Sequence, residues 1–495
     1  ERDAEAMRPV YETLGLTVGV SLAEMSDAER KAAYACDITY TTNKQVAFDH
    51  LRDRIQLRGH NTQLGLHFLD DEQSPLLLRG LHFALIDEAD SVLVDEAVTP
   101  LIISRQGQPA YAEDMLVEAL TKAKSLIEDK HFHLQLDNRR LTLSAAGKQE
   151  LNDWAQEVTG LWRSTRYREQ LIVQALRALY LFECNSHYLV DEGKVKIIDE
   201  FTGRLMADRS WEQGLHQLIE VKEGCDLTGE METIGRISYQ RFFRRYLMLG
   251  GMSGTVQEVA GELRTVYGLS VARIPTHRKS QRYHQQPRIM RSETEKWQRV
   301  VDSIRLKHAE GRPVLVGTRS VGASEHLSGL LENEGIDHRV LNARQDSQEA
   351  GIIALAGLRG QITVATNMAG RGTDIILGAN VAELGGLHVI ATERHEARRI
   401  DRQLFGRCAR QGDPGSYEEI GSQEDELVCS QLSHWVRQIA QLLLNNGGET
   451  GQAIVILLLK YAQSKAQRRS IRIRIQMQKM DEYLENVLAF TGRLE

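Results

Sequence analysis

The sequence predicts an α/β protein with two parallel-sheet domains, an α+β domain inserted into the first, and a helical segment at the end. Three observations carry this. Short apolar runs alternate with amphipathic helical stretches, as in domains built on parallel sheets. One run, 81–86 (LHFALI), stops at Asp87-Glu88-Ala89-Asp90. Two further runs, 362–365 and 387–391, each lead into segments rich in glycine and arginine.

Residues 1–104 form the first part of the first domain. The run 81–86, apolar and abruptly ended, reads as a buried strand of a parallel sheet. Ligands of such sheets sit at the carboxyl ends of the strands. Asp87 is placed there to hold Mg²⁺ through water, and Glu88 to orient or deprotonate an attacking water. The competing reading is a cluster of acids opening a helix, favoured by its dipole. Residues 105–187 change character, with a charged helix at 111–130, a polar alternating stretch at 132–143 and two more helices. They read as the inserted domain. A hairpin at 187–198, turning at Glu192-Gly193, brings the chain back, and the first domain resumes over 188–275. The second domain covers 276–428, with strands expected at 313–317, 362–365 and 387–391. The helical segment, 429–495, is interrupted at Asn445-Asn446-Gly447-Gly448.

The second domain supplies cations. The turn after 362–365 carries Arg371, Gly372 and Asp374, and a helix after 387–391 is expected to present Arg407 and Arg410, three apart, on one face. Arginines delivered from a second domain stabilise the charge developing on a transferring phosphoryl group. The alternative is a solvated helix face and ordinary turns.

Composition narrows the classes. There are 61 basic and 68 acidic groups, a formal charge of −7, which argues against a protein that coats nucleic acid. Cys36, Cys184, Cys225, Cys408 and Cys429 are scattered without a C-x-x-C pair, so neither a zinc site nor a disulfide framework is indicated. No apolar run reaches the roughly 18–20 residues of a membrane span. The sequence G-x-x-x-x-G-K-[ST] does not occur in the chain.

Eight segments stand out: RDAEAMRPVYETLGLTVGV (2–20), DITYTTNKQVAFDHLRD (37–53), LIDEADSVLVDEAVTPLIIS (85–104), IIDEFTGR (197–204), GLHQLIEVKEG (214–224), LGGMSGT (249–255), NMAGRGTDIILG (367–378) and RRIDRQLFGRCARQGDPGS (398–416). Together they resemble the SecA family, the ATPase motors of the bacterial preprotein translocase. The resemblance implies a superfamily-2 helicase-type motor of two RecA-like domains with ATP and Mg²⁺ in the cleft between them. It places ATP contacts on Arg371, Gly372 and Asp374, the Walker B acids on Asp87 and Glu88, and the finger arginines on Arg407 and Arg410. It also implies that Gly251–Thr255 is the segment that relays phosphate loss, with Thr255 on the nucleotide side. Residues 105–187 correspond to a preprotein cross-linking-type domain, short for the family, and 429–495 to the start of a helical scaffold.

Implied partners are a SecYEG-type membrane channel, unfolded preprotein, an anionic membrane surface and a second copy in a homodimer, at the cytoplasmic face of the cell membrane. Nucleic acid is not among them. Three departures stand out. The family's phosphate loop lies upstream of the segment that here begins at Arg2, the insert is short, and the family's helical wing, two-helix finger and zinc tail lie beyond Glu495. An accessory relative without full translocase activity is therefore a second reading. An RNA helicase is a third, since Asp87–Asp90 spells DEAD. Against it, Gln403 stands where RNA helicases usually place His, and 105–187 lacks a basic, aromatic-rich face. Between Lys460 and Lys479 there are seven basic residues and no acid. These suit an anionic surface, or pair with acidic faces of the nucleotide domains.

Overall fold

The computed structural model describes residues 2–57, 76–107, 112–135, 140–158, 160–184, 187–191, 193–198, 205–206, 211, 214–229, 231–341, 349–366 and 374–490. The chain forms two compact units. One comprises Ser104–Thr233, and the other Glu1–Ile103 together with Ile234–Glu495.

In chain order the larger unit begins with β1 (Val18–Ser21), β2 (Ile38–Thr41) and β3 (Phe83–Ile86), and the chain leaves it on β4 (Leu101–Gln106). The smaller unit holds β5 (Phe132–Gln135), β6 (Arg140–Leu143), β7 (Tyr188–Asp191), β8 (Lys194–Ile198) and β9 (Leu205–Met206), with return on β10 (Met231–Ile237). The larger unit then continues with β11 (Met248–Gly251), β12 (Gln281–His284), β13 (Arg288–Met290), β14 (Val314–Thr318), β15 (Arg339–Leu341), β16 (Ile362–Thr366), β17 (Leu387–Ala391) and β18 (Pro414–Ser422).

The later half of the larger unit is one parallel sheet in the order β12-β18-β17-β14-β16-β15, with β13 also on β18. Every residue of β14, β16 and β17 is buried, which is why each reads as an uninterrupted apolar run. Helices cover both faces. Trp297, Val300 and Ile304 of the helix Glu293–Ala309, with Leu327 and Leu331 of Val321–Asn333, seal one face. Leu341, Ile353, Ile375 and Cys408 close the other. Both helices start at serines, Ser292 and Ser320, whose side chains accept from the third residue on. The chain leaves β14 toward β16 and β15 on one side, and takes up β17 and β18 on the other. The strand order therefore reverses at β14, the place where such sheets bind ligands. Gly317 matters at this point. A Cβ there would lie 2.4 Å from Leu404 Cδ2, so glycine lets the helix Arg398–Phe405 press on the central strand without displacing the Leu404 side chain.

The earlier half is built from parallel pairs, β1 with β2 and β3 with β11. It corrects one expectation. The run 81–86 is a strand only over Phe83–Ile86, and it is not buried on both faces: Phe83 is 56% and Leu85 64% exposed. Alternation explains this. Ile86 turns inward to Ala89, Leu93 and Phe242 in the core, while Phe83 and Leu85 point the other way.

The smaller unit packs the helices Glu113–Ser125, Thr165–Tyr180 and Leu215–Glu223 around Leu116, Phe132, Leu171, Ile172 and Leu218. It runs on past residue 187, where the sequence placed its end, because Tyr188, Val195 and Leu215 belong to the same core. β7 and β8 pair antiparallel through Asp191↔Lys194, with Gly193 at φ 73°. Glu192 and residues 199–204 lie outside the described residues. Two helices end the chain, His434–Asn446 and Gly448–Phe490, and the expected interruption falls between them.

Candidate active site

Asp87 and Glu88 follow β3 directly. Glu88 takes φ 49°, a left-handed conformation that costs a non-glycine residue energy and concentrates at functional turns. The turn is held by its backbone. Met252 N–H donates to Ile86 O at 2.9 Å, Ala89 N–H donates to Met252 O at 3.0 Å, and Glu88 N–H donates to Asp87 Oδ1 at 2.9 Å. Asp87 is exposed and Glu88 half-buried, so both carboxylates reach the surface at the end of the strand.

Asp90, two residues on, is fully buried and serves a different purpose. Its carboxylate accepts from Ser253 Oγ at 2.5 Å, Thr255 Oγ1 at 2.8 Å and Gln403 Nε2 at 3.3 Å, and Arg399 lies 3.5 Å away. Arg399 also binds both carboxylate oxygens of Asp95. Burial alone would push the Arg399 guanidinium down, but the carboxylates of Asp95 and Asp90 outweigh it and hold it above its ordinary value. Arg402 adds an ion pair to Glu258 at 2.8 Å. This is a clasp between the two halves of the larger unit. The sequence reading assigned no role to Asp90, Asp95 or Arg399, and noted Gln403 only as a departure from helicases. The available signal was the four-residue spacing of Arg399 and Gln403 on one helix face. Thr255, read as the end of the segment that relays phosphate loss, has its hydroxyl inside the clasp, where Gln403 Nε2 also donates to it at 3.2 Å.

Arg407 and Arg410 do not share a helix face, which is a second correction. The helix Arg398–Phe405 ends before both. Gly406 N–H closes it on Arg402 O at 2.8 Å, and Ala409 and Gln411 then take φ 55° and 52°, which a helix cannot contain. Arg407 sits in the turn and Arg410 beyond it. Arg410 is joined to Asp374, a residue of the other arginine-bearing motif. Its guanidinium donates to Asp374 Oδ1 at 2.7 Å, and Gln411 Nε2 donates to Oδ2 at 3.2 Å. Arg371 and Gly372 lie outside the described residues.

The helix Gly448–Phe490 braces both sides of the clasp. Gln463 Nε2 donates to His395 O at 2.9 Å and to Asp401 Oδ2 at 2.6 Å, on the helix that supplies Arg399 and Gln403. Eleven residues on, Arg474 makes a two-pronged ion pair with Glu262 at 2.6 and 2.8 Å, on the helix that follows Thr255.

The SecA DEAD-like domain family matches residues 1–264, and the SecA P-loop domain family matches 279–383 and 379–447. Protein translocase subunit SecA 2 of Nitrosospira multiformis is 49% identical to the chain, covering 100% of the chain and 75% of that relative. The chain belongs to the SecA family. The SecA 2 subunit of Bordetella avium is 47% identical over 100% of the chain and 75% of its own length. The SecA subunit of Syntrophobacter fumaroxidans is 40% identical over 98% of the chain and 56% of its own length. As in the sequence reading, this SecA chain is mixed α/β with parallel sheets and a helical C-terminal segment.

Proposed function

We propose that this chain is the motor part of a SecA-type translocase, coupling ATP hydrolysis to the transfer of unfolded preprotein through a membrane Sec channel. The observation that carries the reading is the clasp of Asp90 and Asp95 on Arg399 and Gln403. It joins the segment bearing Asp87 and Glu88 to the helix that ends just before Arg407 and Arg410. The donor set fits magnesium nucleotide: Asp87 offers a hard, solvent-reachable oxygen at a strand end, as Mg²⁺ prefers. Bound Mg-ATP supplies the phosphoryl group whose transfer drives the motor. Glu88 orients the attacking water and takes its proton, and Arg407 and Arg410 offset charge on the phosphoryl oxygens. Arg410, resting on Asp374, exchanges that carboxylate for phosphate when it acts. Asp90 and Thr255 form a contact that loss of phosphate would disturb, since Asp90 sits two residues from Glu88 and both accept from Gln403.

The phosphate loop is a separate requirement. Its backbone N–H groups and lysine grip the β- and γ-phosphates, and the G-x-x-x-x-G-K-[ST] pattern does not occur in this sequence. The 495-residue chain alone is therefore expected to lack ATPase activity, and to gain it when such a loop is joined upstream. Unfolded precursor would be held by the smaller unit. An ATPase assay with the loop supplied tests the reading. Stimulation by unfolded precursor supports it, and stimulation by single-stranded RNA in its place contradicts it. A subunit active in ATP turnover but indifferent to precursor would be the accessory form.

A further inference from the structure

The chain re-enters the larger unit on the end of β10, and the helix Tyr239–Phe243 follows at once. Gly235 of that strand lies against the helix Asn43–Leu57. A Cβ there would stand 3.0 Å from Leu51 Cδ1 and 3.1 Å from Ile55 Cδ1, so the strand settles closely on the helix. Beside this contact is a cavity of about 290 Å³, counting space open to solvent, whose apolar lining is Leu51, Ile55 and Ile237. Every charged side chain around it is an arginine. Arg54 comes from the same helix face as Leu51 and Ile55, Arg236 from the strand, and Arg241 and Arg245, four residues apart, from the segment that follows. No carboxylate is among the described residues that line it.

Four guanidiniums converging on one cavity repel each other. Arg54, Arg241 and Arg245 are half-buried, so water and salt screen that repulsion less than at an open surface. Their field reaches His50, one turn before Arg54, where it adds to the effect of burial. The nearest acids on the long terminal helix stand at the margin. Asp481 is 3.8 Å from Arg236, and Glu482 is 3.8 Å from Arg244, both beyond direct hydrogen-bond reach. Asp481 Oδ2 is buried and has no hydrogen-bond partner among the described residues. Asp481 therefore balances Arg236 only loosely.

We propose that this cavity binds a small multivalent oxyanion of the phosphate class, with inorganic pyrophosphate as the probe. The planar fork of a guanidinium matches a pair of phosphate oxygens, and charge-assisted bonds of this kind are the strong ones. The apolar lining keeps water from one side of them. The cavity lies just below the roughly 300–1,000 Å³ of pockets that hold drug-sized ligands, which suits a compact anion. A bound anion would compete with Asp481 for Arg236, and so would ease the end of the helix Gly448–Phe490 away from the first half of the larger unit. None of the residues read as nucleotide contacts lines the cavity, so the inference is independent of the nucleotide chemistry.

Titration calorimetry of the whole chain with pyrophosphate is the test, in a chelator that removes divalent metal so that Asp87 cannot recruit the anion. Saturable binding of one anion per chain is expected, weakening as salt rises. R241A/R245A should lower the affinity by roughly 10-fold or more. R236Q removes an exposed charge and should lower it by about 3-fold or more, with far-ultraviolet circular dichroism showing the fold intact. D481N removes the competing carboxylate and should tighten binding, an effect that a purely structural cluster would not give. Arg410→Ala, on the nucleotide side, should bind pyrophosphate like the parent. Absence of saturable binding, or an R236Q variant that binds like the parent, would overturn the proposal. So would a D481N variant that binds no tighter. Loss of binding in Arg410→Ala with R241A/R245A unaffected would put the anion in the nucleotide site instead.

Discussion

The two halves of the larger unit use strands of similar sequence in different ways. β16 (ITVAT) and β14 (VLVGT) are buried at every position within a continuous sheet, while β3 (FALI) leaves Phe83 and Leu85 open and is paired with β11. A short apolar run therefore announces a strand ending at a polar loop, but not how much of that strand is covered. In both halves the candidate site residues follow a strand in the chain, Asp87 and Glu88 after β3, Asp374 after β16 and the arginines after β17. The difference lies in what surrounds those strands. The second half is a continuous buried sheet, and the first offers a strained turn at Glu88 steadied by Met252 and by a clasp to that sheet's domain.

The largest expected effect lies at that turn. Glu88→Gln keeps the shape but removes the base, so with the phosphate loop supplied upstream, kcat should fall by roughly 10³-fold or more while ATP binding persists. Steady-state turnover beside nucleotide binding reads this out. The clasp comes next. Arg399→Ala leaves Asp90 and Asp95 without their buried cation and should cost about 3–5 kcal/mol of stability, with the two halves melting separately in calorimetry. A single unshifted transition would show that the clasp contributes little. Arg474→Ala should loosen the same interface less, being at its margin.

The contrast between the sheets is tested by a pair of truncations. Ile390→Ala in β17 opens a cavity in a fully buried strand and should cost about 2–5 kcal/mol, whereas Phe83→Ala in β3 should cost less than about 1 kcal/mol. Denaturant midpoints at unchanged slope compare them. Equal costs would mean that β3 is buried in solution.

A further effect, spread over the acid range, concerns pH. His50 packs against Phe242 in the first half, and burial, with help from Arg245 and Arg54, lowers its pKa to about 4. The unfolded chain thus binds a proton at higher pH than the folded one. His50 contributes stability that is complete above its ordinary value near 6.5 and lost as pH falls from there to about 4, up to about 3 kcal/mol in all. His50→Gln should flatten that acid limb in urea titrations between those values.

Much of this was legible in the residues. β14, β16 and β17 stand within a residue of their expected positions because strands covered on both faces leave unbroken apolar runs. Asp87 and Glu88 are singled out because an apolar run ends at them and the arginine-bearing motifs follow later in the chain; the structure sets both directly after β3. The arginine helix was drawn too long. Gly406 and the glycine-rich tail to Gly415 are stop signals, but helical spacing of Arg407 and Arg410 imitates a shared face. The clasp escaped notice for a different reason: Asp95 and Arg399 meet across some three hundred residues, and no periodicity links segments that far apart. The end of the smaller unit was set too early because the hairpin at β7 and β8 reads as a return to the first domain, while its Tyr188 and Val195 are core residues of the insert.

The central claim is that acids of the first half and arginines of the second act on one nucleotide. Arg410→Ala alone should lower kcat by about 10²-fold, since its charge is needed as the phosphoryl group leaves. The direct measurement is turnover of Glu88→Gln, Arg410→Ala and the double variant, with the phosphate loop supplied upstream in each. Groups that work as a unit are non-additive, so the double variant should be scarcely slower than Glu88→Gln. Losses that multiply, or an Arg410→Ala protein that turns over like the parent, would place the two residues in separate sites.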